Sequence, residues 1–482
     1  MFLTRFYNQR LAQASYMVGC AATGEALVID PNRDVEQYLA AAATEGVRIT
    51  HVTETHIHAD FVSGSLELAE RTGARLLLSD EGGADWAYAF AHERNAVMLR
   101  DGSSFSIGAV RVDVLHTPGH TPEHLSLLVT DTATADEPMG LFTGDFVFVG
   151  DVGRPDLLER AAKRVGTMET SARQLFRSIQ RIKSYPDYLQ VWPGHGAGSA
   201  CGKALGAVPQ TTLGYEKRFN WAFAPHTEDE FARLVLAGQP EPPRYFAQMK
   251  RINRIGPRIL GERTPTRLAP QRLLAIADEG VAIIIDARPI ADFAAGHVPG
   301  AINIPLDRSF DTWAGWLVSY DRDIVLITSE RDADAATEAA RELAMVGLDR
   351  LTGYIPDRDA HDAWERAGRQ LSMVPQISAL ELAQELATND VRVIDVRARS
   401  EWEAGHLPGV SNVPLGDLAV RAGELPQDRP IVVHCQGGLR SAIAASILQS
   451  KGFREVVNLT GGFAEWQKAG LEVERAGEMA KE

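Results

Sequence analysis

Apolar residues along roughly the first 240 positions come in short runs divided by turn residues, and the spacing inside each run says what it forms. "EALVID" at 25–30 is nearly continuous in apolar character, the pattern of a buried strand. The following "VEQYLAAAATEG" spaces its apolar residues by three and four and stops at Gly46, which predicts a glycine-closed helix. "ITHVTET" reads as the next strand, with "VRVDVLHT", "HLSLLVT", "GLFTGD" and "YLQVWPG" as later ones. Strands are therefore expected to alternate with amphipathic helices through this region. Residues of metal-ligand type fall where those strands end, the place open α/β sheets give to their chemistry.

Two Pro-rich breaks follow, "AGQPEPPRYF" and "RTPTRLAP", and both read as linker. Beyond them the chain repeats itself. "IIIDARPIADFAAGHVPGAINIPL" at 283–306 matches "VIDVRARSEWEAGHLPGVSNVPL" at 393–415, with His297 and His406 in register. "IVLITSERDADAA" matches "IVVHCQGGLRSAIAA", and "LTGY" matches "LTGG". A repeat this long is a duplicated domain, and each copy reads strand, helix, strand, helix, hence a parallel α/β sheet. The expected domains are 1–244, a linker with the first copy over 245–373, and the second copy over 374–482.

Composition narrows the function classes. A net charge of −15 argues against nucleic acid or an anionic membrane as partner, so an anionic substrate would need a local basic pocket. Cys20, Cys201 and Cys435 are too few for a disulfide framework and point to a reducing compartment. Arg5, Gln9 and Arg10 interrupt the N-terminal run that a signal peptide would keep apolar, and no later run has membrane-spanning length. A cytoplasmic protein is expected, and a homo-oligomeric one, although no residue specifies the oligomer.

The chemistry begins at "THIHADFVSG", 55–64. His56, His58 and Asp60 alternate, so an extended segment would point them one way. Phe61 follows where two-metal enzymes that begin this way carry another histidine, and phenylalanine gives a metal nothing. "HTPGHTPEH" adds His116, His120 and His124, "FTGDFVF" adds Asp145, and "VWPGHGAGS" adds His195, each in a Gly- or Pro-rich turn after a strand.

This order of motifs resembles the metallo-β-lactamase superfamily over about residues 1–244. Within it, "ETHIHADFVSGS" and "PGHGAGSACGK" look like the persulfide dioxygenases fused to rhodanese domains. The resemblance implies an αββα sandwich and one Fe(II) per chain, held by His56, His120 and Asp145. The residue chemistry agrees: two histidines and a carboxylate form the facial set of non-haem iron(II), with positions left for a thiolate and dioxygen. His58, Asp60 and His195 are expected to hydrogen-bond around the ligands or to act as alternative ligands, and His116 and His124 to be structural. Arg154, in "DVGRPD", occupies the place where the resembled family contacts glutathione. Lys203 and Cys201, in "GSACGK", are further substrate-binding candidates, with an ordinary loop lysine and a plain reduced thiol as the alternatives.

In the last copy, "VVHCQGGLRSA" sets Cys435 after a buried strand. Gln436, Gly437, Gly438 and Leu439 follow, and Arg440 opens a helix, so backbone amides, helix dipole and arginine face one sulfur. The loop resembles that of an active rhodanese. Phosphatases of the same fold need a longer C-x₅-R loop, so sulfur is the better ligand. The middle copy carries Thr328 in place of the cysteine, with Glu330 and Asp332 nearby, and resembles an inactive rhodanese.

The expectation is an enzyme that oxidises a glutathione- or coenzyme A-type persulfide with dioxygen to sulfite, and whose Cys435 passes sulfane sulfur to sulfite as thiosulfate. Its rivals are a zinc thioester hydrolase of the glyoxalase II type fused to a sulfurtransferase, and a non-catalytic sulfur carrier.

Overall fold

Alternation along the strands decides the layers of the N-terminal region. The computed structural model describes residues 1–157, 159, 166–239, 241–261 and 264–475. The end of the expected last domain, 476–482, lies outside them. Strands β1 (Phe2–Asn8), β2 (Gln13–Cys20), β3 (Glu25–Ile29), β4 (Arg48–Thr53), β5 (Arg75–Ser79) and β6 (Val97–Leu99) make one sheet in that order. Strands β7 (Ser104–Ile107), β8 (Val110–His116), β9 (Leu125–Asp131), β10 (Gly140–Gly144), β11 (Gln190–Pro193) and β12 (Thr211–Thr212) make a second, ordered in reverse.

On β3, Leu27 and Ile29 join Val112, Val114, Leu125 and Leu127 of the other sheet in one core. Ala26 and Val28 face the opposite way, packing with Tyr38, Ala42, Leu66 and Leu68 of helices Glu36–Glu45 and Ser65–Thr72. The second sheet covers its outer face with helices Met168–Ile182 and Glu228–Leu236. Period-two burial on both sheets thus gives helix, sheet, sheet, helix.

Strict alternation of strand and helix does not hold. β1 to β3 and β7 to β10 pair antiparallel, with no helix described between consecutive strands. Short connections permit this, because only parallel neighbours need a long crossover.

The chain separates into two compact units, Met1–Glu262 with Leu343–Gly347, and Arg263–Glu342 with Leu348–Glu482. The second unit holds both copies of the repeat. One has the parallel order β14 (Ile302–Asn303), β13 (Ala282–Asp286), β15 (Asp323–Thr328), β16 (Leu351–Pro356). The other has β17 (Gln376–Ile377), β21 (Val456–Leu459), β20 (Ile431–His434), β18 (Arg392–Asp395), β19 (Ser411–Asn412). A single apolar cluster runs through both, from Leu273 and Val325 to Val433 and Ile447.

The duplication extends to hydrogen bonds. Asp286–Arg288 and Asp395–Arg397 form buried pairs, each closest at 2.6 Å. Asn303 donates to the carbonyls of Asp286 and Arg288 as Asn412 does to those of Asp395 and Arg397. His297 stacks on Phe293 and His406 on Trp402.

In the N-terminal unit, helix Phe246–Ile255 supplies Asn253, which is 1% exposed. Its Nδ2 donates to the carbonyls of His58 and Phe61, both at 2.8 Å, and its Oδ1 accepts the Ser63 N–H at 2.9 Å. Asn253→Ala should strand three buried backbone groups and cost about 2–4 kcal/mol. Hydrogen exchange read by mass spectrometry should then be faster across 56–64 than in the parent. Unchanged protection would mean that packing alone holds the segment.

Candidate metal centre and sulfur-transfer loop

The H-x-H-x-D run leaves β4 as loop rather than strand, so its three side chains part company. His56 turns inward at 1% exposure. Its Nδ1 meets Thr55 Oγ1 at 2.9 Å, and that hydroxyl donates to Asp30 Oδ2, so it must accept from the imidazole. The Nε2 lone pair is left facing Asp145. His120 is fixed the same way, its Nδ1–H donated to the Arg154 carbonyl at 3.1 Å. Asp145 Oδ2 lies 3.9 Å from His56 Nε2 and 3.4 Å from His120 Nε2.

One donor atom from each of these three residues falls within 4.8 Å of the others. His56 Nε2 and Asp145 Oδ2 are fully buried without a hydrogen-bond partner. Burial, with His58 nearby, holds His56 well below the ordinary histidine range, and burial lowers His120 too, so both present lone pairs. Two imidazole lone pairs and a bare carboxylate oxygen facing one another out of water are unfavourable until a cation joins them. The donor set therefore fits an iron(II) ion.

Asp145 spends its other oxygen differently. Oδ1 meets His195 Nδ1 at 2.7 Å, and His195 Nε2 meets Asp60 Oδ2 at 2.7 Å. With a carboxylate on each nitrogen, His195 is raised well above its ordinary value; burial opposes this and the two acids outweigh it. Asp60, His195 and Cys201 also bring donors within 4.8 Å of one another, but both nitrogens of His195 are already committed. Phe61, 0% exposed, packs against His58 with ring centroids 4.4 Å apart and tilted by 33°, and adds no donor.

His58 is not among the three convergent residues. Its Nε2 lies 3.1 Å from Asp30 Oδ1, and the same oxygen accepts the Thr55 N–H at 2.6 Å. His116 bonds the Pro122 carbonyl through Nε2, and His124 takes the Asp145 N–H on Nε2 while its Nδ1 meets Thr117, so both act in hydrogen bonding.

The three substrate-binding candidates are each engaged within the fold. The Arg154 guanidinium is 0% exposed and bonded to both oxygens of Asp156 at 2.8 Å, with Nη1 on the Ala200 carbonyl. The Arg154 carbonyl orients His120. Gly153 lets this segment pass the metal loop, because a Cβ there would lie 1.8 Å from the Asp145 carbonyl oxygen. Lys203 Nζ is tied to the Leu234 carbonyl at 2.6 Å and lies over Trp221, away from a free-cation role. Cys201 is 1% exposed, and burial together with Asp60 and Asp145 pushes its thiol well above the usual range, which disfavours attack on sulfur.

In the second unit Cys435 is buried at the end of β20. Gly438 N–H donates to Sγ at 3.1 Å, Ser441 Oγ lies 3.6 Å away, and Leu439 begins helix Leu439–Ser450. Gln436 and Gly437 form the exposed lip. The turn of "LTGG" closes on the loop from behind, Phe463 N–H to the Cys435 carbonyl at 2.7 Å. Gly462 makes that possible: its φ is +59° and a Cβ would lie 2.3 Å from the Cys435 oxygen. The middle copy has Tyr354 there, Thr328 for the cysteine, and an exposed loop around Glu330 and Asp332. Arg440 does not face the sulfur unpaired; both of its terminal nitrogens bond Glu401. Asp30, Asn253 and Glu401 carried no motif signal, since each acts through a partner distant in sequence.

Residues 9–195 match the family model described as metallo-beta-lactamase superfamily, and 269–354 and 378–469 match that described as rhodanese-like domain. A crystal structure of a metallo-beta-lactamase from Staphylococcus aureus subsp. aureus COL is 44% identical, with a TM-score of 0.68, over 74% of this chain and 99% of that one. A sulfurtransferase of Allochromatium vinosum is 36% identical over 21% of this chain and 95% of its own length. A hydroxyacylglutathione hydrolase of Rhodospirillum rubrum is 32% identical over 37% of this chain and 60% of its own. Other curated relatives are spanned over about half of their length, 56% and 54% in two cases. No helix among the described residues is long and apolar enough to cross a membrane.

Phe61→His would put a nitrogen donor next to Asp60. A zinc titration should show a second equivalent bound more tightly than by the parent, without faster oxygen uptake. Metal content that does not change would mean that the His195 bridge, rather than the missing donor, excludes the second ion.

Proposed function

We propose, for a chain that belongs to the metallo-beta-lactamase superfamily and carries two rhodanese-like domains, that it oxidises a low-molecular-weight persulfide to sulfite and transfers sulfane sulfur to give thiosulfate. The observation that carries the reading is the convergent set of His56, His120 and Asp145, together with the commitment of His195 to two carboxylates in the neighbouring group. His56, His120 and Asp145 would hold one Fe(II). Bound there, the iron would supply open positions for a sulfur anion and dioxygen.

The protein's own part is positioning. Thr55, backed by Asp30, and the Arg154 carbonyl fix the tautomers of His56 and His120, so that each presents Nε2. His195 holds Asp145 by one oxygen and leaves the other for the cation. Asn253 pins the loop that follows His56, and Phe61 keeps that side dry. In the last domain, Cys435 takes the outer sulfur of a second persulfide as the thiol leaves, and the Gly438 N–H steadies the charged sulfur. Sulfite then accepts that sulfur, freeing the Cys435 thiolate and releasing thiosulfate.

The sulfurtransferase likeness supports the second half of this chemistry, as the metal-site composition supports the first. A zinc-dependent thioester hydrolase is the second reading, favoured by the likeness to a hydroxyacylglutathione hydrolase. Its chemistry is usually a matter of two ions clamping a water, which here would require His195 to leave a carboxylate.

With glutathione persulfide supplied, Cys435→Ser should consume oxygen at the parent's rate but release sulfite instead of thiosulfate. A hydroxyl attacks sulfur poorly and cannot carry a persulfide, so the loss of enzymatic thiosulfate should be nearly complete. Thiosulfate made by Cys435→Ser at the parent's enzymatic rate would move sulfur transfer to another residue.

A further inference from the structure

Arg440 is the residue that the loop motif offers as counter-charge for a sulfur anion, and the fold has already used it. Its Nη1 and Nη2 meet the two oxygens of Glu401 at 2.6 and 2.9 Å, a bidentate pair. Glu401 comes from helix Arg399–Ala404, and its Oε2 also accepts the Ala398 N–H at 3.0 Å. The carboxylate is therefore positioned from its own side of the site. Both side chains are partly shielded, 24% and 35% exposed.

Arg397, the other guanidinium that reaches the loop, donates to Gln436 Oε1 at 3.3 Å but is itself held by both oxygens of Asp395. Each of these cations is thus cancelled by a carboxylate. What lies nearest the sulfur is neutral: the Gly438 N–H and the Ser441 hydroxyl.

The middle copy shows that the fold does not require the Glu401–Arg440 pair. It keeps Asp286–Arg288, the counterpart of Asp395–Arg397, but has Asp292 in register with Glu401, and Ala336 as the second residue of helix Ala335–Met345 where Arg440 is the second residue of Leu439–Ser450. The pair is missing from the copy that lacks the cysteine.

We propose that Glu401 sets the donor specificity of the Cys435 loop. By neutralising Arg440 it favours sulfane sulfur from a low-molecular-weight persulfide over the thiosulfate dianion, which needs a net positive pocket. This rests on the sulfur-transfer reading above. With either donor the step is the same. The Cys435 thiolate attacks the outer sulfur, the donor's S–S bond breaks, and the bonding pair leaves with a thiolate or with sulfite. Cys435 then carries the persulfide, with no net oxidation.

The test compares KM and kcat for thiosulfate and for glutathione persulfide in the full-length protein, with cyanide as the common acceptor. Glu401→Gln keeps the shape and removes the charge. Its KM for thiosulfate should fall about tenfold while that for the persulfide changes less than about twofold, since thiosulfate carries its sulfonate directly on the transferred sulfur, within reach of a freed guanidinium, whereas the carboxylates of glutathione lie many bonds away. Glu401→Ala should shift the donor ratio the same way, so either folded variant suffices. Glu401→Asp, which keeps the charge, should stay near the parent's ratio, and adding Arg440→Gln to Glu401→Gln should erase the gain. Equal shifts for both donors, or a higher KM for thiosulfate, would make Glu401 a structural brace and overturn the proposal. A parent protein with no Cys435-dependent transfer from either donor would overturn the sulfur-transfer reading itself.

Discussion

Asp145 divides its two oxygens between different tasks, and the N-terminal site depends on that division. Oδ1 is taken by His195, whose other nitrogen is taken by Asp60. Oδ2 is left facing two imidazole nitrogens, fully buried and without a hydrogen-bond partner from the protein. A buried carboxylate oxygen without a partner costs roughly 1–3 kcal/mol or more, which a bound cation would offset. The same hydrogen bond that prepares one metal position occupies the histidine that a second would need. Side-chain partners already present thus leave His195 no free nitrogen, and Phe61 adds no donor.

A parallel logic separates the two copies in the second unit. Their scaffolds agree down to the Asp–Arg pair, the asparagine beneath it and the stacked histidine. They diverge where sulfur would be held. Tyr354 cannot take the close, left-handed position of Gly462, and Thr328 brings no thiol. One apolar cluster joins the copies, so the copy without the cysteine packs against its neighbour.

Much of this was legible in the chain, for identifiable reasons. Metal-ligand types sit in turns after strands because the fold puts its chemistry there, so their order survives as a readable series. The duplication was visible because burial and turn geometry constrain the same positions twice. Connectivity was less legible: apolar alternation marks a strand but does not say whether its neighbour is antiparallel, and β7 to β10 proved to be a meander. Charged side chains were the least legible. Arg154, Lys203 and Arg440 read as free cations in motif context, yet Arg154 is paired with Asp156 two positions on, and Lys203 and Arg440 meet partners that only folding brings near. Asn253 lies almost 200 positions from the carbonyls it holds, and nothing local announces it.

The central claim is that one iron, held by His56, His120 and Asp145, serves persulfide oxidation. The most direct measurement is metal content together with oxygen uptake on the same purified protein supplied with glutathione persulfide. The account predicts one iron per chain and uptake that rises with iron occupancy and falls when the iron is chelated. Active protein holding two zinc ions, silent toward persulfide and hydrolysing a glutathione thioester, would contradict it.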